Sequence, residues 1–193
     1  MTRKAIILLL VVPMCLLTVA PVCLGVVGAS VINRDDSVNF KIFGNSPLTS
    51  VRGVNAAGNP WVSDNSRVKL DDDGTLDIKI RGLVLAAGVN STGGLVPDNL
   101  VGTNPVATVR IAVTWMVPGL PVFIQETGPL PLDPNGDLSA RQVPLVGAAP
   151  PANSERPIIL VRAGANPMTG PFIASSNFVA DWGDARGHEG DDD

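Results

Sequence analysis

The chain has 193 residues, with 14 basic and 18 acidic side chains and a single histidine. That balance excludes a nucleic-acid binder built on a basic patch, and it gives no support to electrostatic binding on anionic lipid. Twenty Gly, 17 Pro and only 4% aromatic residues favour short strands and frequent turns over long helices.

Residues 1–29 have the form of an export leader. Arg3 and Lys4 make a basic start, and no charge follows from Ala5 to Asn33. Val27-Gly28-Ala29 suits cleavage before Ser30, which is the favoured expectation, giving a signal peptide and a secreted or cell-surface product. The competing reading is an uncleaved N-terminal anchor, because the apolar run exceeds the roughly 20 residues that span a bilayer. Pro13 and Pro21 would strain such a helix without forbidding it. Cys15 and Cys23 both lie in this segment, and neither has the small preceding residue of a lipobox. The rest of the chain therefore has no disulfide and no thiolate metal site. Without Arg3 and Lys4 it keeps 12 basic and 18 acidic residues, a net charge of −6.

Residues 30–180 read as one β domain. In residues 37–43, Val38, Phe40 and Ile42 alternate with Asn39 and Lys41, as in a strand. Residues 44–65 are turn-rich, and Trp61 after Asn59-Pro60 is expected to be an aromatic lid over one end of the domain. Residues 67–85 carry the clearest pattern. Asp71-Asp72-Asp73-Gly74-Thr75 suits a type I turn closed by a glycine at positive φ. Pairing Asp71 with Thr75 makes paired numbers sum to 146, so Leu70 faces Leu76 and Val68 faces Ile78. Arg67, Lys69, Asp77, Lys79 and Arg81 fall on the other face, with Lys69 opposite Asp77.

Residues 88–104 form a long loop that contains Asn90-Ser91-Thr92, a glycosylation sequon whose use depends on the host. In residues 107–117, Val109, Ile111, Val113 and Trp115 share one face. Pro118-Gly119 then suits a type II turn, and a two-residue loop there would place Trp115 opposite Val122. Residues 132–138 repeat the form of residues 70–76, with Leu-Val pairs at 83–84 and 145–146 at equal offsets. One turn type used twice explains this better than a duplication, which would leave more matched positions. Pro144 is expected at an edge or a bulge, and residues 157–163 as a strand buried on both sides. Phe172, Phe178 and Val179 mark a last strand, and residues 181–193 an acidic disordered tail.

Residues with reactive chemistry are sparse. His188, the only histidine, lies in the tail and is badly placed to serve a nucleophile held elsewhere. There is no Walker loop and no HExxH pattern. Asp71, Asp72 and Asp73 with Asp77 invite comparison with a calcium loop. With Gly74 at the glycine position of an EF-hand, however, the first and last ligands would be Lys69 and Ile80. Turn chemistry and solvation account for these aspartates better. His188, Glu189 and Asp191 to Asp193 could hold a metal only loosely. A glycosidase-type pair built on Glu126 would need a second acid that nothing in the sequence selects.

Asn55-Ala56-Ala57-Gly58, Pro60-Trp61-Val62, the run DDDGTLDIKIRGLVLA and Gly102-Thr103-Asn104-Pro105-Val106 together resemble a group of small exported bacterial β-rich proteins without known activity. The likeness covers residues 50–180 and rests on turn motifs. It implies export and β architecture. Members often carry a cysteine at the place of Trp115 and another near residues 157–163, so the disulfide that the group implies is absent here.

The expectation is an all-β, immunoglobulin-like β-sandwich of seven to nine strands, with an open barrel as the runner-up. No catalytic, cofactor-binding or metal-binding residue is assigned, and no cofactor. The expected role is a non-catalytic secreted or cell-surface module that binds or packs against a cell-envelope or extracellular partner. The alternatives are an extracellular hydrolase using two carboxylates and a domain tethered by a retained leader.

Overall fold

Strands that alternate apolar and polar residues must bury one face, and two stacked sheets or one closed sheet both achieve this. The computed structural model describes residues 37–176 and shows which of the two this chain adopts. The strands are β1 (Val38–Gly44), β2 (Ser50–Val51), β3 (Val54–Asn55), β4 (Trp61–Val62), β5 (Ser66–Leu70), β6 (Thr75–Ile80) and β7 (Val84–Leu85). They continue with β8 (Thr108–Met116), β9 (Phe123–Thr127), β10 (Leu130–Pro131), β11 (Leu138–Val146), β12 (Glu155–Ala163) and β13 (Phe172–Ser176). Among the described residues there is no helix.

Eight of these strands close on themselves in the order β8-β12-β13-β1-β5-β6-β11-β9, and β9 pairs back onto β8. Every neighbouring pair is antiparallel. The expected immunoglobulin-like sandwich is therefore wrong: the domain is a closed eight-stranded β-barrel, not the open one kept as runner-up. The deciding contacts are the two on β9. It pairs with β8 from Ala112↔Glu126 to Trp115↔Phe123, and with β11 at Leu145↔Thr127 and Val146↔Glu126. Alternation cannot reveal this, because a sandwich and a barrel bury the same face of each strand. Bulges help the sheet to curl. They lie at Arg141-Gln142 in β11, at Arg156-Pro157 in β12 and at Ile173 in β13.

The interior is packed with side chains, as expected for a barrel of this size. Phe40, Ile42, Val68, Leu70, Leu76, Ile78, Ile80, Val109, Ile111, Val113, Trp115, Ile159 and Val161 belong to one buried cluster. The outward positions of β1, β5 and β6 include Lys41, Arg67, Lys69, Asp77 and Lys79. That is the pattern of a barrel that turns charge outward to water. The hairpin read at residues 67–79 is present in the expected register, with Lys69 opposite Asp77 and Val68 opposite Ile78. Its loop is closed by Asp71 N donating to Thr75 O and Gly74 N to Asp71 O. The second turn uses the same bonds, from Asp133 N to Asp137 O and from Gly136 N to Asp133 O. The strands after the two turns do not correspond: β7 leaves the barrel to pair with β4, while Leu145 and Val146 of β11 stay in it, paired with β9. The repeat is thus one of turn type.

The type II turn also forms, with Leu120 N donating to Val117 O and Gly119 at φ 75°. The strands beyond it are offset by one residue from the expectation, so Trp115 faces Phe123, not Val122. Leu120 and Pro121 lengthen the return path, and Pro121 brings no amide to a ladder. The slip exchanges faces. Gln125 takes the position opposite inward Val113, and Ile124 packs against the cluster outside the barrel. The expectation for residues 157–163 holds, with β12 buried from Pro157 to Arg162. Pro144 stays in the ladder opposite Thr75, and the bulge falls just before it.

The two barrel ends differ. One is plugged by Trp61, Leu83, Leu85, Val96 and Leu132, all buried in the main cluster. Trp61 thus caps a barrel rather than a sandwich. Its backbone crosses so close to β1 that a Cβ on Gly44 would lie 2.1 Å from Trp61 O. The other end is where β1 starts and β8 finishes, and half-buried Val38, Phe123, Val143 and Leu145 line it. The leader, the tail and Phe178 and Val179 lie outside the described residues.

Candidate functional site

A functional site in this chain has to be assembled from few ionisable groups. The acids come first. Asp71, Asp72, Asp73, Asp133 and Asp137 are in the two turns, and Asp64 and Asp98 in exposed loops. Asp77 is on the outer face of β6, and Glu155 is exposed at the start of β12. Four of the five turn acids are engaged by the protein's own donors. Asp71 Oδ1 is 2.7 Å from Lys69 Nζ. Asp73 Oδ1 accepts from Thr75 N at 2.8 Å and from Thr75 Oγ1 at 2.7 Å. Those bonds favour the ionised form and hold the Asp73 carboxyl below its ordinary range. The hydrogen bond to Asp71, ahead of the pull of nearby acids, raises the Lys69 ammonium. Asp133 Oδ1 accepts from Asn135 N and Asp137 N, both at 2.8 Å. Asp137 Oδ1 accepts from Gly82 N at 2.8 Å, and Asp77 Oδ1 from Gln142 N at 2.9 Å. Among the described residues no group of three His, Cys, Asp or Glu side chains is gathered to hold a metal ion. His188 and the tail acids lie outside the described residues.

Glu126 is the one buried acid among the described residues, at 4% exposure, and its partner is a base. Its register opposite Ala112 turns it to the outer face of β9. There Oε1 accepts from Arg162 Nη1 at 2.5 Å, and Oε2 from Met168 N at 2.8 Å. Arg162 Nε donates to Gly170 O at 2.7 Å. Neighbouring Arg110 donates through Nε to Ala165 O and through Nη1 to Thr127 O. The cluster thus fastens the loop between β12 and β13 against the barrel wall. A glycosidase pair needs a second carboxyl across a substrate from the first. Here both Glu126 oxygens are engaged by the protein's own donors.

A second latch sits beside it. The β2–β3 hairpin turns through Arg52 and Gly53, at φ 50° and 79°, the double positive φ of a type I′ turn. It places Val51, Val54 and Ala56 over Ala112, Ile158, Leu160 and Phe172, forming a small apolar cluster outside the barrel. Arg52 Nη1 donates to Thr114 O and Nη2 to Arg156 O. One acceptor is in the bulge at Arg156-Pro157 and the other is on the facing strand beside it, and Pro157 contributes no N–H to the ladder. The guanidinium supplies the missing donors. Burial, and then the charge of Arg156, lowers its pKa.

Neither latch was read from the sequence. Arg162 left a signal, since a charge inside a strand expected to be buried on both sides requires a partner. Arg52 left none, because an arginine at positive φ is uncommon and nothing local marks it. The sequon loop also folds on itself. Asn90 Oδ1 accepts from Thr92 Oγ1 at 2.7 Å and from Thr92 N and Gly94 N at 3.0 Å.

Compared with known proteins, the chain matches no family model, no curated protein and no solved structure. The likeness to exported bacterial β proteins thus rests on turn motifs alone.

Proposed function

We propose that the barrel is a non-catalytic module of the cell surface or the extracellular space, acting by binding or packing against another surface. The observation that carries this reading is the placement of the acids. Those in the described residues lie on turns, loops and outer faces, and the buried Glu126 is bound by Arg162 and Met168 N. A hydrolase using two carboxylates gains no support from that arrangement. The apolar leader in residues 1–29 supports export. The test is a pull-down from cell-envelope fractions with the exported protein, run with and without calcium. Retention of a defined envelope component supports the reading. Turnover of a glycan or ester substrate that is lost in Glu126→Gln, with the fold intact, overturns it.

A second reading, a domain tethered by its retained leader, is favoured by the entry of β1 at the less plugged barrel end. Intact mass separates the two, since loss of residues 1–29 removes the tether.

A further inference from the structure

The loop joining β8 to β9 lies at the entry end of the barrel, and every side chain from Ile111 to Gln125 is uncharged. In the loop Leu120 is 63% exposed and Val122 36%, and Met116 at the end of β8 is 48% exposed. Pro118, Gly119 and Pro121 between them are exposed too. Single apolar residues on a surface are ordinary, but three gathered on one neutral hairpin tip form a patch that calls for a cover.

The position of the tip points to what covers it. β1 starts at this same end, three strands round from β8. The chain that leads into β1 contains the uncharged run from Ala5 to Asn33, longer than the roughly 20 residues that cross a bilayer. A retained run of that kind would hold this end of the barrel toward the membrane. The tip's own side chains bring no charge to desolvate, exposed Glu155 opposite Met116 and Arg156 beside it mark the polar edge of the patch, and the exposed Leu, Met and Val suit the boundary between headgroups and acyl chains. Asp71, Asp72 and Asp73 are also at this end, but their turn joins β5 and β6, on the opposite side of the barrel. A domain that buries the first loop and hydrates the second must meet the bilayer tilted.

We propose that the hairpin tip at residues 116–122 docks into the interfacial layer of a lipid bilayer. The proposal rests on the tethered reading above. The occupant is lipid, and a zwitterionic surface suits it best, because the chain carries a net charge of −4.

The test uses the full chain with Cys15→Ser and Cys23→Ser, reconstituted with phosphatidylcholine vesicles. An environment-sensitive fluorophore is placed by Leu120→Cys, by Asp72→Cys across the mouth, or by Asn135→Cys at the plugged end. All three positions are exposed, so the labels leave the core intact. The expected result is flotation with the vesicles, a blue shift at position 120, and loss of most of its emission to lipids spin-labelled near the headgroup. Positions 72 and 135 keep their emission. A chain that floats while position 120 stays as wet as position 135 overturns this proposal alone. A chain that does not float overturns the tether and the docking together. Shielding of position 120 before vesicles are added assigns the cover to a second copy if it grows with concentration. If it does not, the cover is the chain's own ends. Either result overturns the lipid proposal.

Discussion

The wall of the barrel is built in two different ways. Along β1, β5 and β6 the outer face is bare: Lys41 lies over the Phe43 ring at 5.2 Å, and Arg67, Lys69, Asp77 and Lys79 point to solvent. Along the middle of β8, β12 and β13 the outer face is itself buried. The β2–β3 hairpin covers Ala112, Ile158, Leu160 and Phe172, and the loop after β12 covers Arg162 and Glu126. The two aspartate–glycine turns carry the same contrast at the scale of one residue. A Cβ on Gly74 would meet nothing within 4 Å, whereas one on Gly136 would lie 2.3 Å from Leu83 O. The same backbone turn thus has different consequences, set by what the rest of the chain lays against it.

The contrast makes graded predictions. The largest effect belongs to the covered side. Arg162→Ala leaves Glu126 charged and buried without its partner, and breaking such a pair costs about 3–5 kcal/mol. Urea unfolding should show that loss, with Arg162→Met plus Glu126→Leu recovering much of it. Equal stability of Arg162→Ala and the parent would erase the distinction between the two walls. Next are the turn glycines. Gly136→Ala adds overpacking of about 1–3 kcal/mol to the strain of positive φ. Gly74→Ala carries the strain alone, about 1–2 kcal/mol. Equal shifts in thermal midpoint would contradict the packing of the second turn on Leu83. Arg52→Ala removes charged donors from two backbone acceptors and should cost about 1.5–3 kcal/mol. Faster hydrogen exchange confined to β2, β3 and the bulge of β12 would locate the effect.

The smallest effects lie on the bare side and depend on pH. The Asp73 carboxyl is held low by Thr75, so its contribution is present above the unfolded value and is lost as pH falls through the folded one. The advantage of the parent over Asp73→Ala should therefore shrink below about pH 4. Lys69 is raised by Asp71, so its contribution is full below the unfolded value and lost as pH rises through the folded one. Lys69→Ala should leave the urea midpoint near neutrality almost unchanged, because solvent screens the pair with Asp71.

The same contrast explains what could be read in the sequence. On the bare side, period-two alternation and turn chemistry agree, so the β5–β6 register is legible residue by residue. On the covered side alternation fades. β12 reads as an unbroken apolar run because both its faces are buried, and nothing in such a run says which strand lies beside it. Barrel closure depends on β9 meeting β11 and β8 together, contacts distant in sequence that no local pattern encodes. The single-residue slip at Trp115 arose where Pro121 displaces the return strand. The turn acids are legible as turn chemistry because Asp-Gly spacing is local. The partner of Glu126 was missed because Arg162 is brought to it by the sheet.

The seam between β9 and β11 tests this account most directly, since it has the fewest paired residues of the barrel contacts and is what separates a barrel from two stacked sheets. The measurement is the set of interstrand NOEs in solution. The closed barrel predicts cross-peaks joining Leu145 to Thr127 and Val146 to Glu126 in the same sample that joins Thr114 to Ile124. A spectrum that keeps the β8–β9 contacts and lacks those to β11, with solvent-exchanging amides at residues 145 and 146, would contradict closure and restore a sandwich.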